Sequence, residues 1–129
     1  MNALLYAHSG FRYVVFLVGV LTVLYALYGL VTRRAVDKRM RILGSAFAGC
    51  FHLQILLGLS VLFTGRFSGM VAGHVMMMVF AAATAQIVAS VMRRRPPEKR
   101  SYGPYLVGAL VAITLAAVGV MALGRPVLG

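Results

Sequence analysis

Negative charge is almost missing from this chain: Asp37 and Glu98 are the only acidic residues among 129, and neither lies in an apolar stretch. A carboxylate proton relay inside a membrane, or an oxygen cage for a hard cation, therefore has no residues to build it from this chain alone. Cysteine is as scarce. Cys50 stands alone in an apolar run, which excludes a disulfide framework or a thiolate metal cluster within one chain and leaves a small buried apolar residue as its ordinary role. Long polar stretches are also lacking, so no soluble domain has room to form.

What is there instead is apolar. Hydrophobic residues make up 61% of the chain, more than a soluble core of this size can bury. They fall in four runs, at about 5–31, 42–63, 70–92 and 104–123. Each run is near the ~20 residues a helix needs to cross the hydrocarbon core of a bilayer. The first lacks the basic start of a signal peptide and is far longer than the usual ~7–15-residue apolar core, so it reads as a mature span.

The net charge of +11 would suit nucleic acid, but its placement does not. Most of the cations sit in two turns, TRRAVDKRMR and RRRPPEKR, that flank apolar spans, while Arg12, Arg66 and Arg125 lie toward the other ends. The positive-inside rule makes both basic turns cytoplasmic and sends both termini and the GRFSG turn outward. Two helical hairpins joined by GRFSG result, with no internal repetition beyond the two basic turns. Short connections make neighbouring helices antiparallel, which predicts an all-α, single-domain, integral membrane four-helix up-and-down bundle with both termini on the outer, periplasmic side. Pro96 and Pro97 end the third helix and Gly103-Pro104 opens the fourth. Small residues that allow close packing in lipid are Gly44, Ser45, Ala48 and Gly49 on the second helix and Gly108, Ala112 and Ala116 on the fourth. The tyrosines, Tyr6 and Tyr13 at one interface and Tyr25, Tyr28, Tyr102 and Tyr105 at the other, read as an aromatic belt.

The candidate chemistry falls to His8, His52 and His74, with Arg12, Gln54 and Gln86 beside them. Histidines within spans usually face the bundle interior. His8 and His74 both lie within roughly one or two turns of the outer surface at 1.5 Å per residue, on helices that are diagonal in the bundle, where they can clamp one metal ion. Small residues at Ser45, Ala48 and Gly49 precede His52 on its face, Met77, Met78, Ala81, Ala82 and Ala85 follow His74, and Phe11, Arg12, Val15 and Gly19 follow His8. A haem needs opposed imidazoles, small or apolar residues against its faces and cations near its propionates, and all of these are present. Arg12 and Arg66 are the cations within reach of a propionate; the alternative for each is to snorkel to the headgroups. His52, about 10 residues past the basic turn and near mid-bilayer, has three roles open to it: replacing His8 opposite His74, serving a second haem, or hydrogen bonding. On its own helix, His52 is expected to face the interior and Gln54, about 200° away, to face elsewhere and bond another helix or a quinone. Met121 is a thioether alternative, although packing is its ordinary role. GHVMMM also suggests copper, but consecutive helical residues diverge by about 100°, so Met76, Met77 and Met78 cannot face one ion.

Through AHSGFRY, HLQILLG and GHVMMM the whole chain resembles small bacterial four-helix membrane proteins that open with a similar His-Ser-Gly-aromatic-Arg stretch. More distantly it is similar to the four-helix membrane b-type cytochromes and to copper-resistance D-type domains. The b-type resemblance implies haem b held by His8, His52 and His74, electron transfer with a quinone or a partner protein, and residence in the bacterial inner membrane. Two-haem members use four histidines, and this chain has three with none on the fourth helix. A one-haem electron-transfer protein, rather than a stand-alone enzyme, is the first expectation. The alternatives are an accessory subunit packed on a larger respiratory or photosynthetic complex, or as a homo-oligomer, and a copper-handling module.

Overall fold

The structure, a computed structural model, describes residues 2–63, 65, 69–124 and 127. Its elements are α1 (Asn2–Val31), α2 (Lys38–Leu62), α3 (Gly69–Arg94), one 3₁₀ turn (Pro97–Lys99) and α4 (Tyr102–Met121). All four α-helices are long and apolar enough to cross a membrane, and no strand occurs among the described residues. The chain is thus built as a multi-pass membrane protein. Helices consecutive in the chain pack on one another and α1 packs on α4, which closes the bundle with α1 diagonal to α3 and α2 diagonal to α4.

α2 begins four residues before its apolar run, because the carboxylate of Asp37 caps it. Asp37 has an extended backbone and accepts a 2.9 Å hydrogen bond from the amide of Met40, so the polar Lys38–Arg41 turn is already helical. Hydropathy alone does not detect such a turn. At the far end of the second hairpin, Arg100 donates from Nε to the Met92 carbonyl at 2.8 Å and from Nη2 to that of Arg93 at 3.3 Å. These bonds satisfy carbonyls that the end of α3 leaves open.

The interior follows one spacing: residues turn inward at steps of three and four that alternate except for a second four from Ala85 to Ala89 on α3, about 3.5 on average, which keeps one seam of each helix facing its neighbours. On α1 the seam is Val15, Gly19, Thr22, Ala26 and Gly29; on α2 it is Met40, Gly44, Phe47, Phe51 and Gln54. On α3 it runs through Ala81, Ala85, Ala89 and Met92, and on α4 through Tyr102, Tyr105, Ala109, Ala112, Ala116 and Gly119. Most of these are small, which is how helices approach closely where lipid removes the usual hydrophobic drive. Large side chains such as Leu17, Leu24, Leu56 and Ile87 point outward, as contact with a bilayer requires. Thr22, the buried hydroxyl on α1, donates to the Val18 carbonyl one turn back at 2.7 Å.

Two expectations change. Tyr102 and Tyr105 are not belt residues: they are 3% and 2% exposed, packed with Ala26, Met40 and Met92. Gly29 and Gly44 make room for them, since a Cβ on either would stand 2.5 or 2.6 Å from the facing tyrosine ring. The Tyr102 hydroxyl then donates to the Ala35 carbonyl at 3.0 Å, tying α4 to the first basic turn. The second change concerns α2, whose small residues are split: Gly44 and Ala48 are buried, whereas Ser45 and Gly49 face outward.

Candidate functional site

Extended toward the chain's N-terminus, the α1 seam passes from Val15 through Arg12 to His8 at the same alternating steps. The α3 seam likewise extends from Ala81 through Met78 to His74, and the α2 seam from Gln54 to Gly58. The three therefore meet at the end of the bundle opposite the basic turns. There the rings of His8 and His74 face across the diagonal with centres 6.1 Å apart and planes at 85°. A cavity of about 330 Å³ opens beside them, lined by both histidines, Arg12, Phe51, Gln54, Gly58, Met78 and Ala116 among others.

The two imidazoles are held differently. His74 Nδ1 lies 2.8 Å from the Gly119 carbonyl of α4. A carbonyl only accepts, so Nδ1 carries the proton and Nε2 is left as the lone-pair nitrogen. Gly119 lets α4 lie close to α3 there: a Cβ would come within 2.8 Å of Met78 Cε, a flexible end, and 3.0 Å of Met77 Cβ. His8 is fixed through its backbone, whose carbonyl accepts from Gln54 Nε2 at 2.7 Å. Its ring rests on Gly58, where an added Cβ would stand 3.1 Å from Cε1 and 3.6 Å from Nδ1. Both His8 Nδ1 and Gln54 Oε1 are buried without a hydrogen-bond partner among the described residues. Arg12 lines the cavity and donates from Nη2 to the Tyr13 hydroxyl at 2.9 Å, its guanidinium carbon 4.7 Å from the centre of that ring.

His52 does not join them. It is exposed on the outer side of the bundle, where Nε2–H donates to Gln86 Oε1 at 2.8 Å and Gln86 Nε2 donates to the Ser90 hydroxyl at 2.8 Å. Gln54, expected to face elsewhere, is the inward residue, 7% exposed. The reason lies in the rotation of α2. Phe47 and Phe51, edge to face with centres 4.9 Å apart, anchor the core, and with both inside, the inward direction passes to Gln54 and leaves His52 outside. The spacing Met40-Gly44-Phe47-Phe51-Gln54-Gly58 carries this signal in the sequence; the small residues before His52 pointed the other way.

Arg66 lies outside the described residues. Met121 is 61% exposed and turned from the cavity, and Met76 is 57% exposed while Met78 lines it. Among the described residues no three His, Cys, Asp or Glu side chains gather to hold a metal ion, and His8 and His74 are the imidazoles that lie together. The chain matches no protein-family model, no curated protein and no solved structure.

At metal–nitrogen bonds of about 2 Å, two imidazoles on opposite sides of one ion have ring centres roughly 6 Å apart. The observed 6.1 Å fits that spacing. A second requirement of a metal-binding histidine, a hydrogen bond from its other nitrogen that sets the tautomer, is met at His74. Gly58 and Ala116 are small residues of the cavity wall, which is otherwise largely apolar.

Proposed function

We propose that the chain is a one-haem membrane cytochrome of the b type, with His8 and His74 as axial ligands, passing electrons to or from a quinone or a partner protein. The observation that carries this reading is the meeting of two imidazoles across the bundle diagonal at a spacing that suits one shared ion, beside a cavity walled by small and apolar residues. A haem bound there supplies one-electron chemistry. The chain's own residues do the rest. His74 presents a lone pair because the Gly119 carbonyl holds its proton on the other nitrogen. Arg12 offers a guanidinium at the cavity wall for a carboxylate, a role that Arg66 shares by its place in the chain. Phe51, Ile55 and Val120 keep water from the inner wall. By the positive-inside rule the basic turns face the cytoplasm and the histidine end faces outward, which suits the bacterial inner membrane.

The test is a dithionite-reduced minus oxidised absorbance spectrum of detergent-purified protein with a pyridine haemochrome assay. A sharp alpha band and about one haem per chain are expected. A chain expressed with ample haem that shows no Soret band would sink the reading.

A second reading, an accessory subunit packed on a larger membrane complex or on another copy of itself, draws on a different observation: the outward His52–Gln86–Ser90 ladder beside bare Ser45 and Gly49. Polar groups facing lipid favour a neighbouring helix, with interhelical bonds averaging ~0.6 kcal/mol each. Co-purification of larger subunits with a colourless chain would support it. The two readings are compatible, since the ladder and the cavity lie on different faces of α2.

A further inference from the structure

We infer that Gln54 is the positioning residue of His8: its Oε1 accepts the Nδ1–H of that imidazole, so that His8, like His74, presents an unprotonated Nε2. This rests on the two-histidine site proposed above and extends it to how the pair is tuned.

Three observations converge on it. Gln54 is already joined to His8, since its Nε2 donates to the His8 carbonyl at 2.7 Å. That bond commits the amide nitrogen and makes Oε1 the end that must find a donor, because an amide oxygen only accepts. Next, His8 Nδ1 and Gln54 Oε1 are both buried, and each lacks a hydrogen-bond partner among the described residues. The two open valences thus belong to the same pair of residues and are chemically complementary: a ring nitrogen able to carry a proton and an oxygen able to receive it. Last, the His8 ring lies against α2 through its Cε1 corner, since a Cβ at Gly58 would stand 3.1 Å from Cε1, with Nδ1 at 3.6 Å and Nε2 at 3.7 Å. Gln54 sits one turn from Gly58 on the same stripe of α2.

The pattern that results is symmetrical in chemistry and different in origin. A backbone carbonyl on α4 sets the tautomer of His74, and a side-chain carbonyl on α2 sets that of His8. Buried polar groups are rarely left open, and imidazole ligands of metals almost always give their second N–H to an oxygen. Because the His8 acceptor is a side chain, it can be changed by substitution without disturbing the helix that carries it.

The experiment uses the full chain with ¹⁵N-labelled histidine rings in detergent, before and after addition of haem. In the unloaded wild type, the ring nitrogens of His8 are expected to show Nδ1 protonated and Nε2 bare, and in Gln54→Leu the population should shift toward Nε2–H. An Nε2–H tautomer in the wild type overturns the inference, whether or not haem binds. Loaded protein supplies the second readout. Gln54→Leu should weaken haem retention by about 10- to 100-fold and raise the reduction potential. Gln54→Glu, which keeps an acceptor and strengthens it, should restore retention and lower the potential below wild type. A Gln54 that merely braced α1 against α2 would move both variants in the same direction or move only thermal stability, and either result overturns the inference. If the wild type shows the expected tautomer but takes up no haem, the cytochrome reading fails and the positioning of His8 stands.

Discussion

The two ends of the bundle are built by opposite logics. At the basic end, tyrosines fill notches cut by glycine, and the polar groups are paired: Tyr102 with the Ala35 carbonyl, Tyr25 with Asp37, Arg34 with Asp37 at 3.7 Å, and Arg100 with the last carbonyls of α3. At the histidine end, Gly58 carries the His8 ring beside a cavity, and His8 Nδ1 and Gln54 Oε1 are buried without a hydrogen-bond partner among the described residues. Small residues admit side chains of the protein itself at both ends, tyrosine rings at one and the His8 ring and Met78 at the other, but it is at the histidine end that a large cavity opens beside them. The difference teaches that filled and open packing are separated along the helix axis: one end clamps the hairpins together, and a cavity stays open at the other.

Substitutions can break this division at either end. The largest effect is expected from His74→Ala, which removes a proposed axial ligand and on the cytochrome reading should abolish the haem spectrum while thermal unfolding in detergent shifts little; His52→Ala, away from the cavity, should leave the spectrum unchanged. Preserved colour in His74→Ala would dissolve the comparison at its open end. Gly44→Val tests the closed end. Its Cβ would enter the Tyr105 ring at 2.6 Å, and overpacking of this kind costs about 1–3 kcal/mol, read as a lower melting temperature with the spectrum of the folded fraction intact.

Smaller effects sharpen the contrast. Asp37→Ala removes the cap of α2 and should cost about 1 kcal/mol. Burial pushes the Asp37 carboxyl up, but hydrogen bonds from Tyr25 and the Met40 amide and the charges of Arg34 and Arg39 outweigh it and hold the group below the usual carboxylate range. A carboxyl lowered on folding stabilises the native state above its unfolded pKa, and this contribution is lost as pH falls through the folded value. Melting temperature should therefore decline with acid below about pH 4 in the wild type, and less steeply in Asp37→Ala. Tyr102→Phe should cost about 1 kcal/mol by losing the bond to Ala35, again with no change in the spectrum.

Much of this was legible before the structure. Four spans, their antiparallel order and the diagonal relation of α1 to α3 follow from hydropathy and loop length, whereas depth makes His8 and His74 a candidate pair and leaves His52 open as a replacement for His8. What misled was the local view of α2. Counting small residues back from His52 suggested an inward imidazole, whereas the longer alternation from Met40 to Gly58 places Gln54 inside. A face read from one residue can err by 100°, and a seam read over five turns cannot. The same applies to Tyr102 and Tyr105: near a helix end they look interfacial, and only Gly29 and Gly44 on other helices reveal that they are core.

The sequence by itself determined the class of protein, because about 20 apolar residues in a row have only one stable environment, and it determined the number and order of the helices, because short turns permit only antiparallel neighbours. It also narrowed the candidate polar groups of the spans to three imidazoles with Arg12, Gln54 and Gln86, since no acid lies in a span. Only the tertiary structure decided which imidazoles meet. Helix rotation is settled by the summed packing of four seams, so whether His52 or Gln54 turns inward depends on the fit of Phe47 and Phe51 among residues on three other helices. The bond from His74 to Gly119 and the open pair of His8 and Gln54 span 45 and 46 residues, separations that no local pattern encodes.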